Sequence, residues 1–304
     1  MAINRASIAK QLLPGLNAVF GMEYGEVADE YSVLFEVENS DRAFEEEVLF
    51  TGFGKAPVKG EGAAVQYDNA QESFTARYTH ETISLAFAVT EEAMEDNLYD
   101  TFAKLRARGL ARSMASTKQT KAADVFNNGF NTAFTGGDGQ PLFSASHPTV
   151  GDGNQSNLIG TAGTVDLSEA ALETALISIQ TMKDDRGILI GSNAVSLHIA
   201  PGNQFTADRV LNSPYQPNTA DNNINSINNL GMMPHGYYVN KRFQDADAFF
   251  IKTDVPNGTK MFVRAPLATK MEPDFDTGNL RFKARERYSF GFSDWRGFFG
   301  SQGA

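Results

Sequence analysis

The sequence predicts an α+β fold, and three observations carry that expectation. The stretch 51–73 holds glycines at 52, 54, 60 and 62, which cannot support a helix and shape a protruding hairpin. Phe74–Val89 then reads as one strand that feeds a capped, long helix. A small α/β unit and a set of closing strands complete the chain.

Residues 1–50 read as an N-terminal arm rather than a core. Ile8, Leu12, Leu13 and Leu16 have helical spacing, which Pro14 and Gly15 break. Val33, Phe35 and Val37 alternate with Leu34, Glu36 and Glu38, as in a short strand. Residues 51–80 form an extended loop, the glycine-rich hairpin. In Phe74–Val89, Arg77, Thr79 and Glu81 share a parity with Ile83, Leu85, Phe87 and Val89. One face is polar first and apolar later, as when a strand leaves an exposed projection and enters a core.

Residues 81–159 hold the helix. Thr90 caps it, Glu91 and Glu92 fill its first turn, and Met94, Leu98, Phe102 and Leu105 form its apolar stripe. The pattern continues to about Phe130, weakened by Gly109, with the bases placed after the acids as the macrodipole favours. One helix or two near-collinear helices of about 40 residues would span about 60 Å. Such a spine organises a flat, elongated subunit. Residues 135–163 form a polar connection that contains Pro141–Pro148.

Residues 160–255 form a second, smaller unit. Ser168 caps a helix with Leu172, Leu176, Ile179 and Met182 on one face, and Gly187 ends it just past Asp184 and Asp185 in solvent. Ile188–Ile190 and Val195–Ile199 read as short buried strands, Phe205–Leu211 as a helix, 217–229 as an asparagine-rich polar loop, and Phe249–Ile251 as a strand. Residues 256–304 are closing strands, with turns at Pro256–Gly258 and Asp276–Asn279.

Composition bounds the function. A chain of 304 residues, 41% hydrophobic, builds one large core or two modest ones. Its 23 Phe supply packing surface without polar atoms to satisfy. Absent cysteine excludes disulfides and thiolate metal sites. No apolar run reaches the roughly 18 residues that span a bilayer. The start lacks the layout of a secretory signal, so the expectation is assembly inside a cell, with no membrane partner. The net charge of −11 is the reverse of the basic surplus of a free DNA-binding domain.

The charge is blocked along the chain. Glu23 to Glu47 contains ten acids and one base, Arg42; Thr101 to Lys121 contains six bases and no acid. In an assembly, an acidic arm can lie on a neighbour's basic helix. The predicted contact residues between subunits are therefore Glu45, Glu46 and Glu47 on one side and Arg106, Arg108 and Arg112 on the other. Phe53, Lys55 and Lys59 of the hairpin loop join them.

No chemistry is expected. The four histidines, His80, His147, His198 and His235, have no metal-ligand spacing and read as structural. Ser144 and Ser146 flank His147 without a nucleophile elbow. Gly52–Lys55 lacks the spacer of a phosphate loop. Asp274–Gly278 departs from a calcium loop, because Arg285 stands where a bidentate Glu is required. No catalytic, cofactor-binding or metal residue is assigned, and no cofactor.

The order of elements resembles that of the major capsid proteins of tailed bacteriophages, with the Hong Kong 97-type capsid fold. Four stretches resemble the Mu-like branch in particular: Ile83–Asn97, Leu142–Pro148, Ala200–Gln204 with Arg209–Ser213, and Arg287–Gly297. The resemblance implies an N-terminal arm, an extended loop that overlaps a neighbour, a peripheral domain with its spine helix, and an axial domain at 160–255. It implies self-assembly into pentamers and hexamers that enclose double-stranded DNA, in the virion, after assembly in a bacterial host's cytoplasm. It also implies a portal, a scaffolding protein and decoration proteins as partners. Many relatives begin with a charged scaffolding segment; this sequence opens on an arm-like stretch with Met1, so separate scaffolding is expected. Lys55 and Lys59 sit where some relatives form Lys–Asn cross-links, but no partner Asn or activating carboxylate is evident, so no cross-link is expected. The alternatives are an encapsulin-like compartment shell and, more distantly, a soluble hydrolase.

Overall fold

The computed structural model describes residues 5–95, 99–160, 162–216 and 223–304. The side chains of Ile8, Leu12, Leu13, Met94, Leu98 and Phe102, and residues 217–222 of the polar loop, lie outside what is described. The chain begins with helix α1 (Arg5–Glu26), then strands β1 (Glu36–Asn39), β2 (Phe44–Phe50), β3 (Glu72–Thr79) and β4 (Glu81–Val89). Helices α2 (Glu91–Glu95) and α3 (Tyr99–Asn127) follow, then the two-residue strands β5 (His147–Pro148) and β6 (Asn154–Gln155). Next come α4 (Glu169–Gln180), β7 (Ala194–Ile199), α5 (Gln204–Asn212), α6 (Ser226–Leu230), β8 (Tyr237–Val239) and β9 (Phe249–Thr253). Strands β10 (Thr259–Pro273), β11 (Leu280–Phe292) and β12 (Phe298–Ser301) close the chain.

Two four-stranded sheets organise these elements, in the orders β1-β10-β11-β4 and β12-β9-β7-β8. β2 and β3 pair separately. One face of the first sheet packs on α1 and α3. There Leu16 and Phe20 of α1 meet Ala103, Ala107, Leu110, Ala111 and Met114 of α3 and Phe282 and Ala284 of β11. The second sheet carries α4, α5 and α6 on a core of Leu172, Leu176, Leu197, Phe249 and Phe299. A third cluster, around Phe126, Phe143, Phe250 and Phe298, joins the two.

The structure departs from the expectations at several points. Pro14 and Gly15 do not break α1, which runs through both. Packing of Leu16 and Phe20 against α3 outweighs the roughly 3 kcal/mol that a helix-interior proline costs. The first strand starts at Glu36, because Leu34 and Phe35 are folded back on Tyr31 in a turn. Phe74–Val89 is two strands, broken at His80: β3 belongs to the β2 pair and β4 to the first sheet. The expected 40-residue helix is a 5-residue α2 and a 29-residue α3 of about 44 Å. Leu105 faces solvent at 63% exposure. The buried stripe of α3 is made of alanines with Leu110, Met114 and Phe126, which brings its backbone close to the sheet.

In the smaller unit, Ser168 caps α4 as expected, accepting from the Ala171 N–H at 3.2 Å. The helix ends at Thr181, and Gly187, with φ of 76°, instead turns a small hairpin closed by the Lys183–Leu189 bridge. Ile188–Ile190 is consequently no buried strand; Leu189 is 59% exposed. Asn225 caps α6 inside the stretch read as loop. Asp185 lies out of solvent: it pairs with the buried Arg296, which Asp294 also reaches. Of the closing turns, Asn257 (φ 59°) and Gly278 (φ 70°) adopt the left-handed conformation. At Gly297 an added Cβ would lie 2.6 Å from Gly258 Cα, so the two segments meet only as glycines.

Two predictions follow from buried charge. Asp185→Ala leaves Arg296 buried with one partner fewer, and the unfolding free energy should fall by about 3 kcal/mol in urea titrations. His198 is buried beside Ser196 and stacks on Tyr238, and burial, reinforced by Lys252, pushes its pKa down to about 3. Unfolded histidine titrates near ~6.5. The unfolded chain therefore binds the proton first, and stability falls as pH drops from about 6.5 toward 3. The urea midpoint should drop between neutral pH and moderately acid pH, and by less in His198→Gln.

Candidate assembly surfaces

Residues 51–71 leave the β2–β3 ladder as a long irregular loop. Its root is fixed by Thr51 and Gln71: the Thr51 N–H donates to the Gln71 carbonyl at 2.8 Å, and the Gln71 N–H donates to Thr51 Oγ1 at 3.0 Å. A second tie lies further out. Asp68 accepts from the Gly54 N–H at 2.6 Å and takes both oxygens to Arg186 of the 183–189 hairpin, each at 2.9 Å. The Gly54 N–H first, and then Arg186, hold the Asp68 carboxyl below its usual range. Beyond this tie the tip is unprotected. Val58 is fully exposed, Val65 65% and Tyr67 93%, and Phe53, just before the tie, is 62% exposed. Lys55 and Lys59 are exposed alongside them. Side chains of this size gain on the order of 1.5–3 kcal/mol each on burial, and no described residue covers them.

The root packs on the outer face of the first sheet. Tyr78 meets Phe262 edge-on at 4.8 Å. Lys260 reaches Glu38 at 2.9 Å and also binds Glu47, whose other oxygen accepts from Ser293. His80 sits at the break between β3 and β4, bonded to Ser40 at 2.9 Å and Ser289 at 3.0 Å. Ser40 donates onward to Glu45 at 2.6 Å, so it receives the His80 Nε2 proton. Burial, and Arg287 nearby, hold His80 below its usual pKa.

The predicted charged residues are thus placed. Glu45 and Glu47 serve the root of the loop, and Glu46 faces Arg77 at 3.8 Å. Arg108 and Arg112 both reach Glu23 of α1 in the same chain, the first at 3.9 Å. Arg106 is exposed on the far side of α3. Glu45, Glu46 and Glu47 meet none of Arg106, Arg108 and Arg112 in the ion pairs of the described residues; Glu23 is the acid that Arg108 and Arg112 reach.

The residues with possible chemistry have other duties. His147 stacks on Trp295 at 4.3 Å, and its ring nitrogens face Asp138 (2.6 Å) and Asn157 (3.1 Å), so neither Ser144 nor Ser146 has it as a base. Asn157 is a hub that sequence reading missed. Its amide reaches the carbonyls of Leu142, Trp295 and Phe298, and its oxygen accepts from the Ser144 N–H. A cleft of about 670 Å³ lies between β3, the end of α3 and β11. Its charged groups are Arg77, Glu81, Lys121 and Asp124, and Lys121 is paired with Glu81.

The sequence model of a family described as phage capsid protein matches residues 72–300. The chain belongs to that phage capsid family. No curated protein matches the sequence. Among solved structures, the capsid of a native GTA particle is similar over 90% of this chain and 89% of its own, at 14% identity and a TM-score of 0.57. The procapsid of bacteriophage JBD30 is similar over 98% of this chain and 76% of its own, at 14% identity and a TM-score of 0.53. The virus-like particle from Pyrococcus furiosus is similar over 95% and 98%, at 10% identity and a TM-score of 0.52. These likenesses establish the Hong Kong 97-type capsid fold. In this capsid protein the matched region begins at β3, the inner limb of the loop root, and runs to β12.

The Arg186–Asp68 tie generates a prediction. Arg186→Ala should speed protease cleavage within 51–71 while shifting the thermal midpoint by less than about 2 °C, because an exposed pair adds little to global stability.

Proposed function

We propose that this capsid protein is the major head protein of a tailed bacteriophage. Its copies form pentamers and hexamers that tile an icosahedral shell around double-stranded DNA, and it performs no reaction itself. The observation that carries this reading is the loop 51–71: a root held by hydrogen bonds and ion pairs bears an apolar tip that its own chain leaves bare. A monomer gains nothing from such a tip, whereas a shell buries it once per contact. Arg106, exposed on α3 while Arg108 and Arg112 are engaged, is the basic residue that remains for a neighbour.

The same reading places the protein in the virion after assembly in the host cytoplasm, with a portal, a separate scaffolding protein and decoration proteins as partners. DNA is enclosed without sequence-specific contact. The likeness to the Pyrococcus furiosus particle concerns the fold alone, and the family match favours a phage head over an encapsulin-like compartment.

Deleting Phe53–Asp68 and joining the root with a short glycine linker tests the role of the loop. The expected product is a folded subunit, with an unfolding midpoint close to the parent's, that forms no stable shells by electron microscopy. Normal shells from the deletion would refute it.

A further inference from the structure

The outer face of the first sheet beyond the loop root carries a ridge of positive charge in an otherwise acidic protein. Alternate residues of β11, Arg281, Lys283, Arg285 and Arg287, stand on it in one row. At about 3.4 Å per residue the row is about 20 Å long, with a charge every 7 Å or so. On one side β4 sets Ala88, Ala86, Ser84 and Thr82 opposite these four, all exposed. On the other, β10 sets Ala268 opposite Arg285 and Ala265 opposite Arg287. The ridge therefore rises beside a shallow trough of small side chains on β4, matched on β10 only at its Arg285–Arg287 end, where Lys270 and Glu272 take the other two places.

Among the described residues its centre is only lightly neutralised: Glu272, bound to Lys270, feels the charge of Lys283 besides. Lys283 lies directly across from Lys270, a like-charge pair that weakens a sheet. Lys270 binds Glu272, and Arg281 binds Asp274, at one end. No hydrogen-bonded or ion-pair partner reaches Lys283, Arg285 or Arg287 among the described residues, and Arg287 Nε is buried without an acceptor. Folding gains nothing from this arrangement, so its selection points outward.

We infer that the ridge is a docking surface for an extended acidic segment of another protein, one carboxylate per base. Two extended strands share the same two-residue repeat, so alternate Glu or Asp side chains of such a segment meet the row one to one. Its backbone fits over the small-residue trough. A second copy of this chain does not supply the segment. Its strand acids offer no alternating free run: Glu38 and Glu47 are taken by Lys260, Glu46 by Arg77 and Glu45 by Ser40, which leaves Glu36 and Glu72 without a free acid two residues away. A nucleic acid fits less well, because a strand longer than the row runs onto carboxylates at both ends. Glu45 stands beyond Arg287 at the loop root, and Asp274 and Asp276 stand beyond Arg281 at the turn. The inference rests on this sheet alone and does not require the shell reading.

Titration of the full-length protein with a fluorescent eight-residue peptide of alternating Glu and Thr tests it, by anisotropy at low salt. The Glu–Thr peptide should bind roughly tenfold or more tighter than the Gln–Thr peptide, and the difference should shrink as salt is added. Lys283→Gln with Arg285→Gln should abolish that preference, while Arg106→Gln retains it. The double variant should unfold at the parent's temperature or above, since it removes like-charge repulsion, so lost binding is not lost folding. Equal binding of the Glu and Gln peptides, an unchanged preference in the double variant, or tighter binding of a short DNA duplex than of the Glu–Thr peptide overturns the assignment.

Discussion

Strand β11 carries opposite chemistries on its two faces, and the rest of the protein depends on its register keeping them apart. Phe282, Ala284, Glu286 and Tyr288 point to α1 and α3; Arg281, Lys283, Arg285 and Arg287 point away. A slip of one residue would drive four bases into the helices and expose the aromatic set. The inward face is not purely apolar. Glu286, 1% exposed, is matched by Lys118 of α3 at 2.7 Å and by the Tyr24 hydroxyl of α1 at 3.3 Å. The rings of Tyr24, Tyr31 and Tyr288 surround the Lys118 ammonium at 5.3–6.0 Å. Burial pushes the Tyr24 and Tyr288 phenols well above their usual pKa, so both stay neutral, and the Tyr24 hydroxyl donates to Glu286. A buried ion pair adds little net stability, but the wrong register would leave each charge buried alone, which costs several kcal/mol. The pair thus acts as a specificity device, tying α1, α3 and the sheet in one alignment.

With β11 fixed, the loop root has something rigid to stand on. Phe262, Ser289 and Ser293, and Lys260 on β10, supply apolar, hydroxyl and ionic contacts to β2 and β3 from one patch of sheet. Outside that patch, among the described residues, the loop is tied through Arg186, which binds Asp68 in a pair that salt weakens and also donates to the Asn69 carbonyl. Stiffness thus ends at Thr51 and Gln71. A projection of this kind is aimed by its root and free to shape its tip on contact.

Sequence reading succeeded where a local cause sufficed. Ser168 caps α4 because its hydroxyl meets an orphan N–H a turn away, and Asn257 and Gly278 turn the chain because they tolerate positive φ. The parity change within Phe74–Val89 was legible as a change of environment, but not that His80 marks a break between two sheets. Failures came from distant partners. Leu105 fits a helical stripe by spacing, yet close packing of α3 on the sheet selects alanines and turns Leu105 outward. Asp185 reads as a solvated helix end until Arg296, more than a hundred positions later, folds onto it. The basic ridge was missed because the charge blocks were sought in contiguous sequence. On a strand the same charges alternate with Phe282 and Ala284 and do not form a run.

The closing segment shows why such distant pairs matter to a shell protein. β11 ends at Phe292 in the first sheet and β12 begins at Phe298 in the second. Only five residues cross between them, and nearly every polar group on the way is engaged. Asp294 caps the crossing turn, Arg296 reaches Asp185, Trp295 stacks on His147, and Asn157 binds the carbonyls of Trp295 and Phe298. The Thr253 hydroxyl takes the Arg296 carbonyl as well. A short connection pinned from the small unit, the polar connection and the turn at Gly258 cannot bend without exposing or orphaning several of these groups together. The joint between the sheets is therefore the costly place to deform, and the loop 51–71 the cheap one. On the proposed reading, differences in pose between copies fall on the element whose contacts are few, exposed and independent of the core.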